Sequence, residues 1–253
     1  MDVLQWIGQP VIERGVIERR FQLVRGVDVV PGILWLPARP ERPLPLVLMG
    51  HGGSGHKRTD RQLRLARWFA GSQIAAVAID GPYHGDRTTE PVDSRPHQDR
   101  MAAIGVDTVT DSMIADWRGT LDALSDLEVI DAGRLAHLGF SMGTRFGLPF
   151  VAEAGPRLRC AVLGKYGMRQ PPAMPVAVDM ASRFTRDAPR VTVPVLFHVQ
   201  WDDELFPRAG QFELFELLGS RDKQLIVFPG THRTATPAAL TSWCEFVSHH
   251  LTG

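Results

Sequence analysis

Leu138-Gly139-Phe140-Ser141-Met142-Gly143 sets a serine between two glycines, directly after an apolar run and before a stretch with helical character. A serine hydroxyl is a weak nucleophile, and a sharp strand-to-helix turn lifts it towards a base and an oxyanion site. Gly139 and Gly143 flank the turn, where backbone segments approach too closely for a side chain. Pro149, about two turns further on, is expected to kink or end the following helix, because proline removes a hydrogen bond there.

A serine on such a turn needs a base and an acid, which follow it in the order Ser, Asp or Glu, His. Val195-Leu196-Phe197-His198-Val199 reads as a buried strand and runs into Gln200-Trp201-Asp202-Asp203-Glu204-Leu205-Phe206-Pro207, so three acids compete for one role. A carboxylate past a strand end can accept from an imidazole, fix its tautomer and stabilise the imidazolium. The base is easier to choose. Of nine histidines only His232 lies after the acids, at the end of the last strand Leu225-Ile226-Val227-Phe228 and before a final helix. His137 and His198 fall within strands and read as structural, while His249 and His250 sit near the end of the last helix.

Gly50-His51-Gly52-Gly53-Ser54-Gly55 follows the apolar run Leu44 to Met49 and supports two readings. It fits the Gly-x-Gly-x-x-Gly dinucleotide fingerprint, with Asp80 about 25 residues on as a ribose-binding acid, which implies an oxidoreductase. Against this, the third glycine leads into the polar segment His56-Lys57-Arg58-Thr59-Asp60, where Thr59 or Asp60 reads as a helix cap. The other reading is a loop of small residues supplying a backbone N–H to a developing oxyanion, from Gly53 or from Ser54 behind it. Met142, after the nucleophile, supplies the second donor. His51 then braces the loop.

These groups need a scaffold that delivers loops to one edge. From Leu44 onward short continuous apolar runs alternate with amphipathic stretches: Leu44 to Met49, Ile74 to Ile79, Leu135 to Gly139, Cys160 to Leu163, Val193 to Val199 and Leu225 to Phe228. Such runs indicate strands buried on both faces by helices. The helical patterns include Leu63, Ala66 and Ala70; Ile114, Trp117, Leu121 and Leu124; Phe212, Phe215 and Leu218; and Trp243, Phe246 and Val247. Alternation of the two implies a mostly parallel sheet with right-handed crossovers. Phe21 to Leu36, broken at Gly26 and Pro31-Gly32, predicts N-terminal antiparallel strands. Two long connections, about Gly81 to Asp111 and Gly167 to Pro194 with Pro171, Pro172, Pro175 and Pro189, have the length of functional loops or lids.

At 253 residues a single domain over 1–253 accounts for the chain, with 44% hydrophobic and 22% charged residues. Lys plus Arg and Asp plus Glu balance at 28 each, which argues against nucleic acid or an anionic membrane as partner. No basic leader followed by an apolar run and no spanning segment is evident, so the expected compartment is the cytoplasm. Cys160 and Cys244 are too few for a disulfide framework or a cysteine-based metal site and read as buried fillers.

With His51-Gly52-Gly53, Gly139-Phe140-Ser141-Met142-Gly143, the acids and His232 in order, the chain resembles the α/β-hydrolase superfamily along nearly its whole length. Asp203-x-x-x-Pro207 resembles the acid loop of many members and selects Asp203 over Asp202. Pro31-Gly32-Ile33-Leu34-Trp35-Leu36-Pro37 and Asp80-Gly81-Pro82-Tyr83-His84-Gly85 look like the lid-poor branch of dienelactone hydrolases and prolyl-oligopeptidase-like catalytic domains, with Ser141 where dienelactone hydrolase proper carries cysteine. The resemblance implies the α/β-hydrolase fold: about eight strands, helices on both faces and a minimal cap. It also implies a carboxylesterase-like serine hydrolase acting on a small ester, lactone or thioester. Ser141 would attack, His232 would carry the proton, Asp203 would orient His232, and Gly53 with Met142 would hold the oxyanion, without metal or organic cofactor. Tyr83, His84, Phe140, Tyr166, Met168 and Trp201 lie at strand ends or loops and are candidates to line the pocket. The alternatives are the oxidoreductase and a catalytically silent hydrolase fold used for binding. No oligomeric state follows from the sequence; a homo-oligomer fits as well as a monomer.

Overall fold

A computed structural model describes residues 2–89, 94–171 and 174–253. Nine strands form one sheet in the order β1-β2-β3-β5-β4-β6-β7-β8-β9. The strands β1 (Val3–Glu13), β2 (Val16–Arg25) and β3 (Asp28–Pro37) make an antiparallel meander, and β3 pairs antiparallel with β5 (Ala75–Ile79). From β5 onward, through β4 (Leu44–Gly50), β6 (Ile130–Gly139), β7 (Cys160–Gly164), β8 (Val195–Gln200) and β9 (Lys223–Phe228), every pairing is parallel. β4, β5, β6, β7 and β8 show the double-sided burial that their continuous apolar runs predict.

The strand beyond the expected eight is β1, an edge strand with Val3, Ile7, Val11 and Ile12 exposed. Only Leu4 and Trp6 turn towards the core, Trp6 edge-on to Phe21, and the exposed second half, residues 8–13, carries no alternation, so the sequence gives a weak strand signal.

Helices cover both faces. On one, α1 (Asp60–Gly71) and α7 (Pro237–Thr252) bury Leu65, Phe69, Trp243 and Val247 against the sheet. On the other, α3 (Val106–Ser125), α4 (Met142–Ala154), α5 (Ala181–Asp187) and α6 (Arg208–Leu217) bury Trp117, Leu121, Phe146, Phe184 and Leu214. The predicted cap at Thr59 is present, its side chain accepting from Gln62 N.

Three expectations need correction. Pro31-Gly32 does not break the N-terminal strands: β3 runs through both, pairing Pro31 with Gln22 and Gly32 with Phe21 of β2. The helix after Ser141 does not end at Pro149 but continues to Ala154, because Met142 to Ala152 are buried and packing outweighs the lost hydrogen bond. The long connections are not plain loops: the first carries α2 (Ser94–Ile104) and the second α5, each with short 3-10 turns. Pro172 in the second connection lies outside the described residues.

The chain leaves β4 for β5 on one side and returns to β6 on the other, so the order of the parallel strands reverses at β4. Ligands in open α/β sheets bind at the carboxyl ends of strands at such a switch. The joint there depends on Thr144, buried in the first turn of α4. Its hydroxyl lies 2.8 Å from Gly139 O and 2.7 Å from Gly164 O and accepts from Gly164 N at 2.8 Å, tying β6, α4 and β7 together. Thr144→Val keeps the shape but takes the acceptor from buried Gly164 N and the hydroxyl donor from Gly139 O and Gly164 O, so urea denaturation should show a loss of about 1–3 kcal/mol; unchanged stability would refute the role of this joint.

Candidate active site

Ser141 sits between β6 and α4 with φ 58° and ψ −120°, a left-handed conformation rare for a residue with a side chain. The turn is held by Ser141 N donating to Gly164 O at 3.1 Å and by Gly143 N donating to Phe140 O at 2.9 Å. The flanking glycines are there for clearance. A Cβ on Gly139 would lie 2.6 Å from Gly143 O, and one on Gly143 would lie 2.8 Å from Gly50 O.

The loop after β9 brings His232 to the serine, with Nε2 2.9 Å from Ser141 Oγ. On the far side of the ring Nδ1 lies 2.9 Å from Asp203 Oδ2. A carboxylate there accepts the Nδ1 proton, leaving the Nε2 lone pair to face the serine hydroxyl. Asp203 is itself fixed, Oδ1 accepting from Leu205 N at 2.9 Å and Phe206 N at 2.8 Å, and Oδ2 from Gln211 Nε2 at 3.2 Å. The two neighbouring acids do other things. Asp202 accepts from Gly230 N at 3.0 Å, and Glu204 accepts from His232 N at 2.8 Å, which holds its carboxyl below the usual range.

Ser141 and His232 open into a cavity of about 540 Å³ that Gly53, Ser54 and Met142 also line. Among the described residues, the backbone N–H groups of these three find no acceptor in the protein. His51 braces their loop: Nε2 accepts from Gly81 N at 2.8 Å, so Nδ1 carries the proton and donates to Gly52 O at 2.9 Å. Burial and the neighbouring His84 push its pKa down to about 3, keeping the ring neutral.

The dinucleotide reading of this loop fails on geometry. Gly55 N turns back to Gly52 O at 3.0 Å, and the helix begins only at Asp60. Asp80 is buried and already engaged by Lys57 N at 2.9 Å, Lys57 Nζ at 2.5 Å and Asp86 N at 2.9 Å, so it is not free to hold a ribose.

Of the residues considered as pocket lining, His84 and Tyr166 face this cavity. The other four lie elsewhere. Phe140 is buried on the opposite face of the sheet against Trp243 at 4.1 Å, since successive strand residues point to opposite faces. Tyr83 faces a separate groove, Met168 packs against the core, and Trp201 is exposed beneath Arg208.

Sequence reasoning missed the cavity's charge. Arg61, Arg64, Arg145, Lys165 and Arg233 line it, and no Asp or Glu is among its described lining residues. Buried Arg145 donates to Val178 O at 3.0 Å. Burial, reinforced by Arg64, lowers the pKa of Arg61 to about 10. Lys165 donates to His232 O at 3.1 Å and to Thr234 O, and burial holds it at about 8. Two signals were available: Lys165 directly follows a buried strand, and Arg145 lies one helical turn beyond Ser141.

No helix among the described residues is long and apolar enough to cross a membrane. No curated protein matches the chain. Among solved structures, a cold-adapted esterase from an Arctic intertidal metagenomic library, bound to polyethylene glycol, is 34% identical with a TM-score of 0.84, over 98% of this chain and 100% of that one. Acetyl xylan esterases from Paenibacillus sp. R4 (16% identity, TM-score 0.72, 99% and 89% of the two chains) and Thermoanaerobacterium sp. JW/SL YS485 (15%, 0.75, 99% and 88%) share the fold. The model of the dienelactone hydrolase family matches residues 30–234, and by that match, together with its α/β-hydrolase fold, the chain belongs to the dienelactone hydrolase family.

Proposed function

We propose that the protein is a serine carboxylesterase that hydrolyses small carboxylic esters, lactones or thioesters through an acyl-enzyme. The observation that carries this reading is the unbroken line Ser141 Oγ, His232, Asp203, with two contacts of 2.9 Å, opening into a cavity beside three N–H groups that find no acceptor among the described residues. A silent binding fold has no need of such an alignment. The esterase 34% identical to this chain supports the same reaction class.

In the first half-reaction Ser141 Oγ adds to the ester carbonyl while His232 Nε2 takes its proton, and Asp203 stabilises the imidazolium. The N–H groups of Met142 and the Gly53-Ser54 loop hold the oxyanion. Collapse of the tetrahedral adduct expels the alcohol, which receives the proton from His232. Water, deprotonated by His232, then repeats the addition on the acyl-enzyme, releasing the carboxylic acid and restoring the serine.

The five cations around the cavity add a selectivity. They favour the anionic intermediate and any negative group on the substrate, and they oppose a positive one.

Ser141→Ala should lower kcat/KM for a p-nitrophenyl ester by about 10³-fold or more; retention of a tenth of the wild-type rate would sink the assignment. Asp203→Asn should lower turnover by about 10³ to 10⁴-fold with its melting temperature preserved, since an amide holds the wrong tautomer, while Asp202→Asn should cost less than about tenfold. A reversed ranking would transfer the role to Asp202. Of two p-nitrophenyl esters of equal acyl length, one ending in carboxylate and one in quaternary ammonium, the anionic ester should have a kcat/KM at least about tenfold higher. Equal rates would show that the cavity charge does not reach the substrate.

A further inference from the structure

We propose that His84 is a positioning residue for the oxyanion hole, acting through the peptide plane of Gly53. The inference rests on the serine-esterase reading and adds to it a residue outside the nucleophile, acid and base.

His84 is buried, yet it lines the same cavity as Ser141. Its Nε2 lies 2.9 Å from Gly53 O and its Nδ1 2.6 Å from Pro82 O. Gly53 O can only accept, so at 2.9 Å the contact is a hydrogen bond from Nε2–H. A trans peptide is planar, with its C=O and N–H on opposite sides. Fixing Gly53 O on the His84 side therefore turns Ser54 N–H the other way. The preceding plane is fixed in the same manner, Gly52 O being held by His51 Nδ1 at 2.9 Å and Gly55 N at 3.0 Å, which turns Gly53 N–H. Two histidines thus hold, by their carbonyls, the two successive peptides whose N–H groups have no partner among the described residues.

The mount for His84 is rigid. Asp80 accepts from Asp86 N at 2.9 Å, and buried Asp116 on α3 accepts from Arg87 Nη2 at 2.6 Å, so the short turn after His84 is tied at both ends. The rings of His51 and His97 lie 5.2 and 4.3 Å from that of His84 and restrict its tilt. Without the His84 contact, the Gly53 peptide is free to rotate, because glycine imposes little torsional restriction.

The test pairs His84→Leu, which fills the space without a donor, with His84→Gln, which restores an N–H donor. On p-nitrophenyl acetate His84→Leu should lose about 10²-fold in kcat, the effect of losing one oxyanion donor, with KM within about threefold of wild type. Affinity for phenylboronic acid, whose serine adduct is a tetrahedral anion, should fall by a similar factor. His84→Gln should recover at least about tenfold of the lost kcat. Thermal melts establish that the variants are folded, and if His84→Leu is not, His84→Gln decides alone by kcat within about tenfold of wild type. The proposal is overturned by a wild-type kcat in His84→Leu, by a loss confined to KM, by unchanged boronate affinity alongside reduced kcat, or by a folded His84→Gln no better than a folded His84→Leu. Failure of a fluorophosphonate to label Ser141 in the wild type would instead bring down the serine-esterase reading beneath it.

Discussion

Ser141 holds a backbone conformation that side-chain-bearing residues rarely adopt, and the rest of the site is arranged around keeping it there. The turn closes because Gly139 and Gly143 let backbone segments meet at distances no Cβ allows, with Gly50 packed almost as tightly against Gly143. Thr144 then joins the ends of β6 and β7 through one buried hydroxyl. The local strain is offset by burial of α4, whose packing also overrides Pro149. Once the serine stands above the carboxyl edge of the sheet, β4, β5, β7, β8 and β9 can each deliver a loop to it. The nucleophile, the base, the acid and the oxyanion loop all follow from that shared edge.

The electrostatics follow from the same geometry. Asp203 receives its hydrogen bonds from backbone N–H groups, Gln211 and His232, so the carboxylate serves His232 with no hydrogen bond to a cavity cation among the described residues. Lys165 instead spends its protons on the carbonyls of the His232 loop. Arg61, Arg145 and the others are left facing a cavity with no described acid in its lining. That arrangement costs desolvation in the free enzyme and suits a reaction whose intermediate and product both carry negative charge.

Much of this was legible in the sequence because the strongest constraints are local. The strand-turn-helix around Ser141, the histidine after the last strand and the parallel α/β order each follow from short patterns. What stayed illegible depends on tertiary context. β1 turns only Leu4 and Trp6 towards the core, too few residues to write a clear period into its sequence. Asp202, Asp203 and Glu204 differ only in which way each points past a strand end. Spacing alone gives no direction, and the resemblance of Asp203-x-x-x-Pro207 to a known acid loop, not physical periodicity, picked out the one that meets His232. Phe140 was misplaced for the same reason, since one residue's shift along a strand exchanges cavity for core. The cavity arginines come from α1, α4 and the His232 loop, segments that the chain order does not mark as neighbours.

Covalent catalysis at Ser141 is tested most directly by trapping the intermediate. With p-nitrophenyl N,N-dimethylcarbamate, whose carbamoyl-enzyme hydrolyses slowly, one equivalent of p-nitrophenol should be released rapidly per enzyme. Digestion and mass spectrometry should then find the dimethylcarbamoyl group on Ser141 and nowhere else. Ester turnover by an enzyme that this reagent leaves unmodified, or modifies at another residue, would contradict the acyl-enzyme mechanism.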